Sequence, residues 1–285
     1  MVSVAWGDPR SPLSAVIVGY NSLSYLRRCL PPLELEIAAP GGEVILVDNA
    51  STDDTCRVVP EEFPWVRLIG NGVNRGFAAA VNQGLRASAG ELVLILNPDV
   101  SVRRGTVAVL ADFLRAHPHV GIAAPRLLNP DGTPQPSCRC FHTLSAILSR
   151  RGPLRPLLAN TRWAARHLML EWDHGAPREV DWVLGACMLV RRRAIQDVGP
   201  MDEGFFLYFE DEDWCYRMWA RGWAVSYVPF AEATHEYRRE SDHLDSPAYR
   251  HFVRSGIRLI RKYGLFVNRP VNPQSNLPTF ANGER

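Results

Sequence analysis

The sequence predicts an α/β fold: a Rossmann-like, mostly parallel sheet flanked by helices, with a smaller region after it. Two observations carry this. Short apolar runs of strand length alternate with helical stretches through residues 14–116. Runs that are apolar throughout, rather than alternating, belong to strands buried on both faces of a parallel sheet. Polar residues then recur just past each run, at the carboxyl ends of the strands, where sheets of this kind bind their ligands.

Taken in order, Ser14–Tyr20 (SAVIVGY) is the first strand, and the helical stretch Leu23–Leu30 is expected to stop at Pro31 and Pro32. Glu43–Asp48 (EVILVD) is the second strand, and Ser51-Thr52-Asp53-Asp54 reads as a capping box that opens a helix. Val66–Ile69 is a third strand, Gly76–Ala87 a helix, Glu91–Leu96 (ELVLIL) a fourth strand and Arg103–Ala116 its helix. After the turn signal Pro130-Asp131-Gly132 the pattern changes. Residues 143–170 carry Arg150, Arg151, Arg155, Arg162 and Arg166 among leucines and Trp163, with no acid. Two readings stay open there: a solvated pair of basic helices, or a surface lying on anionic lipid. Trp182–Val190 reads as a strand, Asp211–Arg221 as a helix ended by Gly222, Trp223–Val228 as a strand and Pro247–Tyr263 as a helix. The division that results is one domain over 12–240, with halves 12–127 and 128–240, a helical extension over 241–266 and a loose tail over 267–285.

Composition narrows the function by exclusion. With 46% hydrophobic and 22% charged residues, a chain of 285 residues buries a sizeable core. A net charge of +2 argues against nucleic acid as a partner. The positive charge is almost all arginine, with Lys262 the only lysine, and guanidinium groups suit phosphate. Cys138-x-Cys140 with His142 lacks the second ligand pair of a zinc site, so free thiols in a reducing cytosol are expected. The start of the chain does not read as a signal peptide, and no apolar run approaches the ~20 residues that span a bilayer. The expected location is the cytoplasm or the cytoplasmic face of a membrane, and an oligomer is compatible with the sequence.

Residues able to do chemistry gather at the strand ends. Tyr20-Asn21, Asp48-Asn49, Asn71 to Asn74 and Asn97-Pro98-Asp99 each follow a strand. One such group is commonly a helix cap, and Asp48 alone fits that reading too. Four on one sheet edge make a polar crevice. Asp99 is more specific, because a carboxylate at the end of a buried strand needs a partner or a cation. Pro98 makes the corner rigid, and a hard divalent ion held by one or two carboxylates plus substrate phosphates fits it. Further on, Glu210-Asp211-Glu212-Asp213 stand in an aromatic stretch between Phe205 and Tyr216. They are either an acidic helix N-terminus or, through mutual repulsion and aromatic surroundings, the source of a general base. His235, on the chain leaving a strand at the same edge, is a candidate by position.

Together these stretches resemble glycosyltransferase family 2, and most closely its rhamnosyltransferase-like members. The matching segments are VIVGYNSLSYLRRCL (16–30), EVILVDNASTDDT (43–55), NRGFAAAVNQGL (74–85), ELVLILNPDV (91–100) and MDEGFFLYFEDEDWCYRMWARGW (201–223), in the family's order. The resemblance implies a GT-A fold, a nucleotide-diphosphate sugar donor, Mg2+ or Mn2+, and inversion at the anomeric carbon by single displacement. It assigns 12–127 to the donor and 128–240 to the acceptor. By the same resemblance Tyr20, Asn21 and Asp48 bind the nucleotide, with Asp48 at the pyrimidine base, and Asn74 and Gly76 lie by the sugar-diphosphate. Asp99 matches the last acid of the family's D-x-D metal motif, Asn97 replaces the first, and His235 completes the metal site. Asp211 matches the catalytic base, Glu210 supports it, Asp213 contacts the acceptor or orients the helix, and Gly185 walls the acceptor pocket. Subfamily likeness points to dTDP-L-rhamnose as donor, a glycan or lipid-linked acceptor, and cell wall or polysaccharide biosynthesis.

Two other readings remain at this point. Gly70-Asn71-Gly72-Val73-Asn74-Arg75-Gly76 is a glycine-rich string like that of a dinucleotide-binding oxidoreductase, although it follows the third strand and not the first. The Asn97 replacement leaves room for a non-catalytic relative that binds a nucleotide sugar or glycan.

Overall fold

The computed structural model describes residues 13–143, 146–147, 161–236 and 246–270. Strands β1 (Leu13–Gly19), β2 (Glu43–Asp48), β3 (Val66–Gly70) and β4 (Leu92–Leu96) run parallel in the order β3-β2-β1-β4. Their side chains alternate between two cores. Ala15, Ile17, Val44, Leu46 and Leu94 enter one, while Val16, Val18, Ile45, Val47 and Ile95 enter the other. This is why the sequence runs are apolar throughout; each fully buried Ile or Leu contributes on the order of 2 kcal/mol. Helices α1 (Leu23–Leu33), α2 (Thr55–Glu62), α3 (Phe77–Ala87) and α4 (Thr106–Ala116) belong to the same half.

Past β4 the sheet becomes mixed. β10 (Cys187–Arg191) lies antiparallel between β4 and β6 (Val120–Leu128), β11 (Ala224–His235) runs parallel to β6, and β5 (Val100–Val102) pairs antiparallel with β11. β8 (Arg178–Glu179) adds to β11 at the edge of this sheet, while β7 (Cys138–Arg139) and β9 (Trp182–Val183) form a separate two-stranded sheet. Among the described residues the helices of this half are α5 (Arg162–His167), α6 (Arg192–Val198), α7 (Glu210–Ala220) and α8 (Pro247–Tyr263). A third cluster, Ile147, Phe205, Phe209, Phe252 and Leu259, joins α8 to the loop before α7.

Several expectations are corrected. α1 runs through Pro31 and Pro32 and continues as a π-helical turn over Glu34–Ala38. The carbonyls that lose an N–H partner are those of Arg27 and Arg28, and the Arg28 carbonyl accepts instead from Ser101 Oγ at 3.4 Å. Ser51 to Asp54 form no capping box; Asp53 Oδ1 accepts from the Thr55 N–H at 3.1 Å, and α2 begins there. Residues 100–102 are strand, so the helix expected from Arg103 starts at Thr106. The strand expected over Trp182–Val190 splits at Leu184-Gly185-Ala186, whose backbone ties to neighbours on both sides: Leu184 N–H donates to Ser137 O and Ala186 O accepts from Asn97 N–H. The strand expected over Trp223–Val228 does not stop at Val228: β11 runs on to His235, with a bulge between Val228 and Glu232 that takes up Pro229. β6 escaped the sequence reading because Gly121, Pro125 and Arg126 interrupt its apolar run. The tail is anchored over its first residues: Val267 N–H donates to His142 O, and the Arg269 guanidinium lies 4.0 Å over Trp219. Residues 271–285, residue 12, and Arg150, Arg151 and Arg155 of the basic stretch lie outside the described residues. Among the described residues no helix is long and apolar enough to cross a membrane.

Candidate active site

A cavity of about 410 Å³ opens at the carboxyl edge of the parallel strands. Tyr20, Asn21, Asn74, Gly76, Asn97, Asp99, Gly185, Glu210, Asp211 and His235 line it, so ten of the sequence candidates meet there. Asp48 and Asp213 do not line it.

One wall is a set of loops stapled to one another by short amides. Asn21 sits at φ +48, and its Oδ1 accepts from the Thr52 N–H at 2.7 Å. The centre of the network is Asn49, which the sequence reading had not singled out. Its Nδ2 donates to Asn74 Oδ1 at 2.9 Å and to Gly76 O at 3.2 Å, while its Oδ1 accepts from the Arg75 N–H at 3.0 Å. Gly76 has φ +84, and a Cβ there would stand 2.6 Å from Phe206 O. Phe77 N–H donates to that same oxygen at 2.7 Å, so α3 starts flush against the segment leading into α7. Asp48, 1% exposed, lies at the foot of this wall. Its Oδ2 accepts from the Ser51 N–H at 2.9 Å, whereas Oδ1 accepts no N–H or O–H among the described residues. Such a buried orphan costs ~1–3 kcal/mol unless something donates to it. Burial first, then the neighbouring Asp48 carboxylate, push the Cys56 thiol up to about 11.

Across the cavity, His235 Nε2 stands 3.6 Å from Asp99 Oδ1. Gln135, also absent from the sequence candidates, decides what that nitrogen carries. Its Nε2 donates at 2.7 Å to both Asn129 Oδ1 and His235 O, which leaves Oε1 to face His235 Nδ1 at 2.9 Å. Nδ1 must therefore bear the proton. Burial pushes the ring's pKa down to about 4, so at neutral pH the imidazole is neutral and Nε2 presents a lone pair to the carboxylate. Two electron-rich atoms held side by side suit a cation, and an imidazole whose second nitrogen is hydrogen-bonded is the usual form of a metal ligand. Among the described residues no group of three or more His, Cys, Asp or Glu side chains converges; Asp99 and His235 are the pair that could hold a metal.

The third wall is the entry to α7. Tyr208 and Phe209 both have positive φ, 71 and 69, a conformation costly for aromatic residues and kept only where packing enforces it. Here Phe209 is fixed against Phe252, with ring centroids 5.1 Å apart. The four acids that follow divide by environment. Glu212 Oε1 accepts from both the backbone and the Nδ1 of buried His142, each at 2.8 Å, which removes His142 from any zinc site. Asp213 is buried and taken by Arg217, Lys262 and Tyr263. Its carboxylate ties α7 to α8, which is the helix-orienting alternative of the two roles expected for Asp213. Glu210 and Asp211 alone of the four face the cavity, and Asp211 Oδ2 accepts from the Gly185 N–H at 3.0 Å. A Cβ on Gly185 would lie 3.3 Å from Asp211 Cβ, so the close approach of the two walls depends on this glycine.

A parallel half and a mixed half meet at a cavity between an Asp–His pair and an acidic helix start, the arrangement expected of a GT-A fold. The profile of the family described as Glycosyltransferase like family 2 matches residues 9–252, and the chain belongs to that family. It is 35% identical over 240 residues to N-acetylglucosaminyl-diphospho-decaprenol L-rhamnosyltransferase of Mycobacterium tuberculosis, covering 78% of this chain and 75% of that one. Similarity at 25% identity extends to the dTDP-rhamnosyl transferase RfbF of Shigella flexneri, over 88% of this chain and 81% of the other. Among solved structures the fold is similar to GalNAc-T7 with UDP, GalNAc and Mn2+ (TM-score 0.64, 19% identity), over 89% of this chain and 48% of that one. The mannosyltransferase PcManGT of Pyrobaculum calidifontis, in complex with GDP-Man and Mn2+, gives a TM-score of 0.58 at 19% identity, over 89% of this chain and 66% of that one. This chain thus spans about half the length of the first structure and two thirds of the second. Family membership sets aside the oxidoreductase reading: Gly70 to Gly76 is the β3–α3 loop of a glycosyltransferase.

Proposed function

We propose that this enzyme transfers L-rhamnose from dTDP-L-rhamnose to a hydroxyl of a glycan or lipid-linked acceptor, with inversion, at the cytoplasmic face of a membrane. The observation that carries the chemistry is the sorting of the four acids, which leaves Asp211 at the cavity while Glu212 and Asp213 are committed to packing. Asp211 is held by the Gly185 N–H and is the base. It takes the proton from the acceptor hydroxyl, whose oxygen forms the new bond to the anomeric carbon as the bond to the nucleotide diphosphate breaks. Glu210 supports the entry to α7.

The orphan Oδ1 of Asp48 accepts the N3–H of thymine or uracil, and the loops stapled by Asn21, Asn49, Asn74 and Gly76 hold the nucleotide, with Tyr20 and Asn97 at the cavity wall. Asp99 and His235 hold Mg2+ or Mn2+, which when bound offsets the charge of the diphosphate. Gln135 presents His235 in the tautomer this requires. The rhamnosyl donor is supported by the two rhamnosyltransferase relatives. Incubating the protein with dTDP-L-rhamnose, UDP-glucose and UDP-N-acetylglucosamine in Mn2+ tests it. Release of nucleotide diphosphate from the dTDP sugar at least about tenfold faster than from either UDP sugar is expected, a discrimination of ~1.4 kcal/mol. Preference for a UDP sugar would refute the rhamnose assignment.

A further inference from the structure

Helix α8 has two faces of different character. Its inner residues, Ala248, Phe252, Ser255, Gly256 and Leu259, are buried. Through them it builds the lip of the cavity: Ser255 Oγ donates to Leu207 O at 2.8 Å, and His251 stacks on Phe206 at 4.2 Å. At about 100° per residue, Arg250, Val253, Arg254, Ile257 and Arg261 fall in an arc of roughly 100° opposite Leu259. The three arginines are exposed, as are Val253 (40%) and Ile257 (46%). Just past the helix, Leu265 and Phe266 add apolar surface at 42% and 70% exposure, with Phe266 fixed by its pairing to Thr143.

The pattern is unlike that of a helix face adapted to water. A solvated face mixes charges of both signs at i,i+4 spacing, whereas α8 contains no Asp or Glu. Its other cations, Arg258 and Lys262, are engaged by Asp202 and Asp213. Arg250 and Arg254 stand at i,i+4 as like charges, which disfavours the helix in water, and two β-branched side chains lie exposed among them. An anionic bilayer resolves both features: the apolar side chains enter the headgroup boundary and the guanidinium groups meet lipid phosphates.

We propose that the outer face of α8, formed by Arg250, Val253, Arg254, Ile257 and Arg261, docks on an anionic lipid bilayer. The lip of the cavity is then held about one helix diameter, roughly 10 Å, from the membrane surface. This surface does not depend on which sugar the cavity transfers.

Flotation of the full chain with vesicles tests the proposal. Binding is expected to phosphatidylcholine containing about one-third phosphatidylglycerol, to fall as salt is raised, and to be slight with phosphatidylcholine alone. The combined Arg250→Gln, Arg254→Gln and Arg261→Gln variant should bind on the order of a hundredfold more weakly. Ile257→Asp should bind at least about tenfold more weakly. Both should keep the melting temperature and donor hydrolysis of the parent. Wild-type binding that ignores phosphatidylglycerol or salt would overturn the proposal, as would variants that bind like wild type. Equal capture by RNA, lost in the same variants, would mark a general polyanion patch and overturn it as well.

Discussion

Asp211→Asn should lower kcat by about 10²–10⁴-fold while donor affinity stays unchanged. The substitution is isosteric, so an amide oxygen can still accept from the Gly185 N–H, which now meets Asp211 Oδ2 at 3.0 Å. What disappears is the negative charge that makes the carboxylate basic enough to take the acceptor's proton. Steady-state kinetics with a saturating acceptor, paired with calorimetric titration of donor, separates the two terms. Turnover equal to wild type would remove Asp211 from the role of base. Loss of donor binding together with turnover would mean that its part is structural.

Gly76→Ala is the second substitution with a large expected effect, on stability as well as activity. The residue holds φ +84, and its Cβ position lies 2.6 Å from Phe206 O and 2.9 Å from Phe206 Cα. An L-residue there is strained by roughly 1–2 kcal/mol before any clash. The clash falls on backbone, so the segment leading to α7 must shift, and with it the Phe77 N–H bond to Phe206 O. A loss of about 2–4 kcal/mol is expected, lowering the melting temperature by roughly 5–15 °C for a chain of this size. Donor binding should weaken as well, because Gly76 O and Asn74 share the Asn49 amide. A variant with wild-type melting and donor affinity would show that this packing contributes little.

The parallel half was legible because β1, β2 and β4 are buried on both faces, which favours apolar residues at all but their end positions. Its site residues were legible because polar side chains at strand ends have few reasons to cluster on one edge. What escaped was set by contacts distant in sequence. Gln135 reaches His235 across 100 positions, and a glutamine in a loop carries no local signal of that partnership. Within the acidic run, residue type alone does not separate Asp211 from Asp213, and only the family resemblance does; in the fold, Lys262 and Tyr263 of a later helix make the difference by taking Asp213. β6 and the outer part of β11 were hidden by Pro125 and Pro229, which the bulge between these strands accommodates.

In the proposed mechanism Asp99 and His235 would form half of a metal site that the donor's diphosphate completes. Titrating Mn2+ into the protein with and without dTDP, followed by the loss of free Mn2+ signal in electron paramagnetic resonance, tests it directly. With two protein ligands, weak binding is expected for the protein alone and markedly tighter binding once dTDP is present, with the gain lost in Asp99→Ala. Tight binding of Mn2+ without nucleotide, or a gain that survives in Asp99→Ala, would contradict it.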